Sequence, residues 1–416
     1  MQEIKFATPD VGSLEYDAVK NAIESKWLTN GPVVRSFEQE IAKRSRCKKA
    51  VAFDSCTAAM EMTLRVLGVG EGDEVITTPY TYSATAEVIR NVGAKIVFVD
   101  LDGSSFEMNY FKVAEAITPR TKAIIPVDIG GKLCDYDEIF KAVKEKSHLF
   151  RRETPLQYQI SRVAVIADAA HSFGAEMNGK VSGEFADFTC FSFHVLKNLT
   201  TGGEGGAVVW NSFDKSRQYI NDDELEKEFR LLGDHGQTSR DKSNGWEYDI
   251  SLFGYNHIMT NIDAAMGLAQ LERFDEINEK RRKITERYDE LFKNKYFAMP
   301  LIKHFGENYT SAMHLYPIRL NTSAAPISAR FIDGILEDWR TGIYKKLRDR
   351  GVPCNVHYKP LPMMTAYKNE GYDIADYPNA YRLFSTLLTI PYHSELTPEQ
   401  QEYIVEEIEK AVKPVC

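Results

Sequence analysis

Three short segments carry residues that could do chemistry together. In VAVIADAAHSFGA an apolar run, 163–167, ends on Asp168. In DFTCFSFHVLKNLTTGGEGGAVVW a β-rich run over 187–193 leads to Lys197, then to a turn dense in Gly and Thr and a second β-run at 207–210. In DSCTAAMEMTLRVL, Ser55, Cys56 and Thr57 stand between a strand and the start of a helix. Free N–H groups and the dipole at a helix start bind phosphate. A carboxylate at the carboxyl end of a parallel strand lies where open α/β sheets take their ligands. A lysine set among apolar segments is costly to keep charged, and desolvation favours its neutral, nucleophilic form.

Each feature also has an ordinary structural explanation. Asp168 could cap a helix or close a buried ion pair, Lys197 could be a surface lysine before a hairpin, and Ser55 to Thr57 could be a plain N-cap. Taken together they describe one site. A phosphate docks at the helix after Asp54, a ring nitrogen meets Asp168, and an aldehyde meets Lys197. The last two are 29 residues apart, room for a hairpin and two strands. A carboxylate facing a pyridinium nitrogen, with a lysine that forms a Schiff base, is what pyridoxal 5′-phosphate (PLP) chemistry requires.

The elements that must position these groups alternate. Apolar, β-branched runs at 49–53, 74–78, 95–99, 122–127 and 163–167 predict strands. Amphipathic stretches at 55–67, 83–92 and 111–117 predict the helices between them. Such runs suit parallel strands covered on both faces, so the pattern predicts an α/β doubly wound sheet. Helices are expected at 16–30 and 36–43, and a long one at 261–293 bridging to a second, smaller domain. That domain is expected to hold a strand at 314–320 and helices at 327–350, followed by the segment 354–358, and at 397–412, the last opened by Thr397 and Pro398. The charged run 141–162 reads as a helix plus a solvated insertion.

Composition sets limits. The chain has 416 residues, enough for two packed domains, and a net charge of −9. An acidic balance argues against nucleic acid as the main partner. Six dispersed cysteines without a CxxC pair fit a reduced, cytoplasmic compartment and no disulfide framework. No signal peptide and no membrane span are expected. The nine histidines show no metal spacing, so no metal is expected and His235 and His314 read as polar or packing residues. Trp339 and Tyr344 read as core. The GVGEGD run at 68–73 follows a helix, so it is no dinucleotide loop.

The segments SKWLTNGPVVRSFEQEIA, GVGEGDEVITTPYTYSATAEVIRNVGAKIVFVDLD, ADAAHSFGA, SFHVLKNLTTGGEGG, GYNHIMTNIDAAMGLAQLER and IPYHSELTPEQQEYIVEEI, in this order, resemble the DegT/DnrJ/EryC1/StrS family of sugar aminotransferases. The resemblance covers nearly the whole chain. It implies the PLP-dependent transferase type I fold of aspartate aminotransferase. A large PLP-binding domain, 1–275, would hold a mostly parallel central sheet covered by helices, and 276–416 would form a smaller C-terminal α+β domain.

The resemblance also implies roles. Lys197 matches the Schiff-base lysine and Asp168 the pyridinium partner. His171 matches a contact to the ring hydroxyl, and Tyr82 the aromatic stacked on the ring. Ser192, with Cys56 and Thr57, matches the phosphate site. Asn256 matches an asparagine that reaches the phosphate in the neighbouring subunit, which implies a homodimer with shared active sites. His357 and Tyr358 fall near the sugar substrate. The activity implied is transfer of an amino group, from L-glutamate by analogy, to a keto sugar on a nucleotide, with the cofactor passing through pyridoxamine 5′-phosphate. Alternatives are a sugar dehydratase, whose relatives carry His in place of the lysine, and a regulatory protein that binds PLP without turnover. Three departures stand out: an extra Gly in TTGGEGG, expected to loosen the turn behind Lys197; Asp128 where the family often has His, expected to alter substrate choice; and the longer 141–162 insertion.

Overall fold

The computed structural model describes residues 3–413 except 104, 214–218, 239–244 and 326–333. Helices α1 (Ser13–Glu24) and α2 (Pro32–Arg44) precede strand β1 (Lys49–Phe53). Then α3 (Cys56–Val66), β2 (Glu74–Thr77), α4 (Ala84–Asn91), β3 (Lys95–Phe98), α5 (Tyr110–Ala116) and β4 (Thr121–Ile125) alternate. Helices α6 (Tyr136–Glu145) and α7 (Pro155–Ile160) lead to β5 (Ala164–Asp168). A small hairpin, β6 (Glu176–Met177) and β7 (Lys180–Val181), precedes β8 (Phe188–Ser192) and β9 (Gly206–Trp210).

The central sheet has seven strands in the order β1-β9-β8-β5-β4-β2-β3. Pairings from β8 to β3 are parallel, and β9 runs antiparallel to both its neighbours. Strands β2, β4, β5, β8 and β9 are buried at every position, as strands sandwiched between helices must be. The mixed α/β fold with a mostly parallel sheet is thus the one the alternation predicts.

Beyond β9 come α8 (Asp222–Gly233), α9 (Asn261–Glu272) and α10 (Phe274–Phe292). Strands β10 (Ala298–Pro300), β11 (Phe305–Gly306), β12 (Tyr309–Thr310) and β13 (Tyr316–Leu320) follow, then α11 (Ile335–Asp349), α12 (Thr365–Asn369), α13 (Pro378–Thr386), β14 (Leu387–Ile390) and α14 (Pro398–Val412). A three-stranded antiparallel sheet, β10-β13-β14, carries a second core around Tyr288, Tyr316, Leu347 and Ile404. Ile4 joins that core and packs with residues of α10, β13 and α14. Trp339 and Tyr344 pack against it, as expected. Helix α14 opens on a capping box, with Thr397 accepting from Gln400 N and Gln400 answering the Thr397 N–H.

Several boundaries differ from expectation. Helix α1 ends at Glu24 rather than 30, and α2 starts on Pro32, whose missing N–H costs nothing at a first helical position. The 261–293 helix is two, interrupted at Arg273, which ties Asp10 and Glu15 by ion pairs. The 141–162 run is no plain solvated insertion: α7 buries Leu156 and Ile160, and the Gln157 side chain donates to Leu67 O at 2.8 Å. The segment 354–358 joins β14 through a bridge between Asn355 and Thr389. The expected helix at 327–350 is seen from Ile335, and 327–333 lie outside the described residues.

Candidate active site

Strands β5 and β8 are parallel neighbours with Asp168 opposite Cys190. Asp168 therefore ends one strand beside Ser192 at the end of the next, and the turn after Ser192 carries Lys197 back over the same edge. That adjacency explains how 29 residues separate two groups that meet. Helix α3 enters the same edge because β9 begins with Gly206. A Cβ there would stand 2.3 Å from the Cys56 nitrogen and 2.3 Å from Ser55 carbonyl carbon. Only glycine lets the strand approach the helix start so closely.

A cavity of about 650 Å³ opens at this edge. Its lining includes Cys56, Thr57, Tyr82, Asp168, His171, Ser192, Lys197, His357 and Tyr358, nine of the ten residues singled out from sequence. Asn256 is not among them. It is exposed, in a bridge to Asp234, away from this cavity.

The Asp168 carboxylate is buried and accepts from Thr85 Oγ1 at 2.6 Å and from the Ala170 N–H at 3.2 Å. Burial pushes its pKa up, and the Thr85 and Ala170 hydrogen bonds and Lys197 oppose the shift. Burial pushes Lys197 down to about 8, against the pull of Asp168, Cys56 and Glu204. An amine at that value is neutral in a useful fraction near neutral pH.

His171 is buried, and the Gly130 N–H donates to its Nδ1 at 3.1 Å. The ring proton therefore sits on Nε2, which lies 3.3 Å from the Tyr358 hydroxyl. Burial first, then Lys197 and His357, holds His171 well below the ordinary imidazole range, so it is a neutral donor. His357 is pushed down to about 4 by burial and Lys197, and its Nδ1 lies 3.0 Å from Thr389 Oγ1. Tyr82 is exposed at the mouth, its ring 6.1 Å from that of Tyr358.

At the other end of the cavity Ser55 caps α3, its Oγ accepting from Ala58 N at 3.1 Å. The Cys56 thiol turns inward onto Cys190 O at 3.4 Å, so Cys56 offers its backbone rather than its side chain. A first-turn N–H cradle, a buried carboxylate and a depressed amine in one cavity fit PLP: an anion binder, a partner for a ring nitrogen and a nucleophile for an aldehyde.

Two expectations from the departures fail. Asp128 is 1% exposed and does not line the cavity. It accepts from Cys134 N, Tyr136 and Ser172 and so braces the backbone behind His171 rather than meeting substrate. The TTGGEGG turn is not loose. Thr201 N and Thr200 Oγ1 bond Phe193 O, Thr201 Oγ1 bonds Glu204 O, and Val195 N bonds Gly203 O. His314, read from sequence as an ordinary packing residue, lies against the site with its ring centroid 4.2 Å from that of His171. Thr85 was missed as well. A threonine in the first turn of a helix looks like any other cap, and only the fold brings it to Asp168.

The sequence profile described as the DegT/DnrJ/EryC1/StrS aminotransferase family matches residues 9–409. The Bacillus subtilis spore coat polysaccharide biosynthesis protein SpsC is 33% identical over 418 residues, covering 99% of this chain and 97% of its own. The Campylobacter jejuni UDP-4-amino-4,6-dideoxy-N-acetyl-beta-L-altrosamine transaminase is 31% identical over 420 residues, covering 99% and 100%. Among solved structures, Spr1654 of Streptococcus pneumoniae is similar at 39% identity, with a TM-score of 0.91 in its PMP form and 0.90 in its PLP form, covering 99% of this chain and 98% of that one.

Proposed function

The chain belongs to the DegT/DnrJ/EryC1/StrS aminotransferase family, and on that footing we propose that it moves an amino group from L-glutamate to a keto sugar carried on a nucleotide. It is a PLP-dependent enzyme of sugar aminotransferase type. The observation that carries the finer reading is Lys197 and Asp168 in one cavity large enough for a cofactor and a sugar together. The Campylobacter relative, a transaminase named for a UDP-linked amino sugar, supports the nucleotide sugar as substrate class.

When bound, the cofactor supplies an electron sink for charge developing on the carbon that loses or gains nitrogen. Lys197 Nζ, once free, takes the proton from that carbon and later returns one, acting as general base and acid. The Asp168 carboxylate holds a proton on the ring nitrogen. His171 Nε2–H would donate to the cofactor's hydroxyl, and Tyr82 would pack against its ring. The N–H groups of Cys56 and Thr57, with Ser192, hold the phosphate. His357 and Tyr358 meet the sugar. The exposed Asn256 completes the phosphate site of a second copy, in a homodimer with shared sites. Five described cysteines are free, which supports a reducing, cytoplasmic setting. No helix among the described residues is long and apolar enough to cross a membrane.

The test is a panel of nucleotide-linked keto sugars offered with glutamate. Release of 2-oxoglutarate that depends on a keto sugar, and is abolished in Lys197→Ala, supports transfer. Dehydration without 2-oxoglutarate, or cofactor binding with no reaction toward any amino donor, overturns it.

A further inference from the structure

The segment 311–315 runs against the turn at Gly130 and Gly131. Gly131 O accepts from Ala312 N at 2.9 Å and Gly130 O from His314 N at 3.2 Å. The same turn donates the Gly130 N–H to His171. Both glycines have positive φ, 66° and 92°, and a Cβ on Gly131 would stand 3.0 Å from His171 O and 3.1 Å from Met313 N. The Arg281 guanidinium clamps the far side through Met313 O at 3.2 Å.

From this anchored segment His314 Nδ1 lies 2.8 Å from Asn198 Oδ1. Asn198 Nδ2 donates to Ala312 O, which fixes the amide: its nitrogen faces Ala312 and its oxygen faces His314. His314 Nδ1 must then carry the proton. Both side chains are buried, at 7% and 5% exposure. Asn198 follows Lys197 directly in the chain, so the bond acts on the backbone that carries the amine.

We propose that His314 is a positioning residue for Lys197: through Asn198 it fixes the backbone that aims the amine. The proposal rests on the reading of Lys197 as the lysine that holds the cofactor. Burial and the neighbouring His171 and Lys197 keep His314 neutral, which suits a fixed donor rather than a proton carrier.

Three variants separate the contacts. His314→Phe keeps a ring against His171 and removes the donor to Asn198. His314→Asn keeps a donor near the Nδ1 position and removes the ring. Asn198→Ala removes the acceptor. The readouts are kcat and KM with glutamate, and the pH at which the visible absorption of the cofactor-loaded enzyme changes. Apart from His314 itself, the groups facing Lys197, namely Asp168, Cys56, Glu204, His171 and His357, stay untouched in all three.

For His314→Phe, kcat falls roughly tenfold to a hundredfold, the scale of a misplacement of about 1 Å. KM changes little and the absorption titrates at a displaced pH. Asn198→Ala copies this, and the two losses do not add. His314→Asn recovers most of kcat and the parental titration. A titration unmoved in both His314→Phe and Asn198→Ala, or equal losses in His314→Phe and His314→Asn, overturns the proposal. If His314→Phe does not fold, Asn198→Ala against His314→Asn decides in the same way. Lys197→Ala run beside them separates the two failures. If its absorption still titrates like the parent's, the role of the lysine falls. If it does not, while His314→Phe and Asn198→Ala titrate unmoved, only the role of His314 falls.

Discussion

Thr85 Oγ1 donates a 2.6 Å hydrogen bond to Asp168 Oδ2. Thr85 is fully buried in the first turn of α4, and its hydroxyl also lies 2.9 Å from that of Thr81. A carboxylate that must stay ionised against burial needs such donors. Thr85→Val keeps the shape and removes the bond. A hydrogen bond to a charged group contributes about 1.5–3 kcal/mol, so cofactor affinity is expected to weaken roughly tenfold to a hundredfold. Equilibrium titration of the cofactor-free protein with PLP measures it.

Gly206 is the second pressure point. Its Cβ would meet backbone atoms of Ser55 and Cys56, which cannot rotate away. Gly206→Ala must push β9 from the start of α3 or displace the N–H groups at that start. Overpacking of this kind typically costs about 1–3 kcal/mol. The expected outcome is a lower thermal midpoint together with weaker PLP retention. Gly203→Ala, where a Cβ meets nothing within 4 Å, is the control that keeps both.

Much of this arrangement was legible before any coordinates, for a physical reason. Buried parallel strands need unbroken apolar runs, so β1 to β5 stood out, and a polar residue ending such a run, Asp168, marks the ligand edge. The turn after β8 was legible because its Gly and Thr density permits nothing else. What stayed hidden depends on long-range contact. Thr85 and Asp168 are 83 positions apart, and His314 and Asn198 are 116 apart. Nothing local to either residue encodes the partner. The fate of Asp128 was misread for a related reason, since Ser172, 44 positions away, joins the nearer Tyr136 in turning it inward. Helix α7 was masked by its charged surroundings, with Leu156 and Ile160 its main apolar anchors.

Asp128 supplies a pH-dependent test of stability. Burial raises its carboxyl to about 7, against hydrogen bonds from Cys134, Ser172 and Tyr136. Unfolded, the group loses its proton near pH ~4. The folded state therefore binds more protons between about 4 and 7, and stability falls as pH rises through that window. Asp128→Asn removes the titration, and its amide donates to Ser172 Oγ where the protonated acid would. The thermal midpoint of the variant is expected to depend less on pH between those values and to exceed that of the parent above pH 7. Denaturation scans across that range check it. A parallel fall in both proteins shows that other groups govern the slope.

Lys197 gives the corresponding test of chemistry. Burial lowers its amine to about 8, with Asp168 the largest opposing influence. Only the neutral amine attacks an aldehyde, so the rate at which cofactor-free protein takes up PLP covalently should rise with pH and level off above about 8. Asp168→Asn removes the nearby negative charge that favours the ammonium. Its amine should therefore lose its proton at lower pH, and the uptake curve should move to the acid side even though turnover collapses. The two effects have opposite signs. Faster uptake at neutral pH alongside lost catalysis is a pattern that simple damage to the site does not produce. Stopped-flow absorption of PLP uptake over a pH series reads the midpoint directly. A curve that stays in place in Asp168→Asn would show that the carboxylate does not act on the amine, and one centred near the ordinary lysine value would show that burial does not lower it.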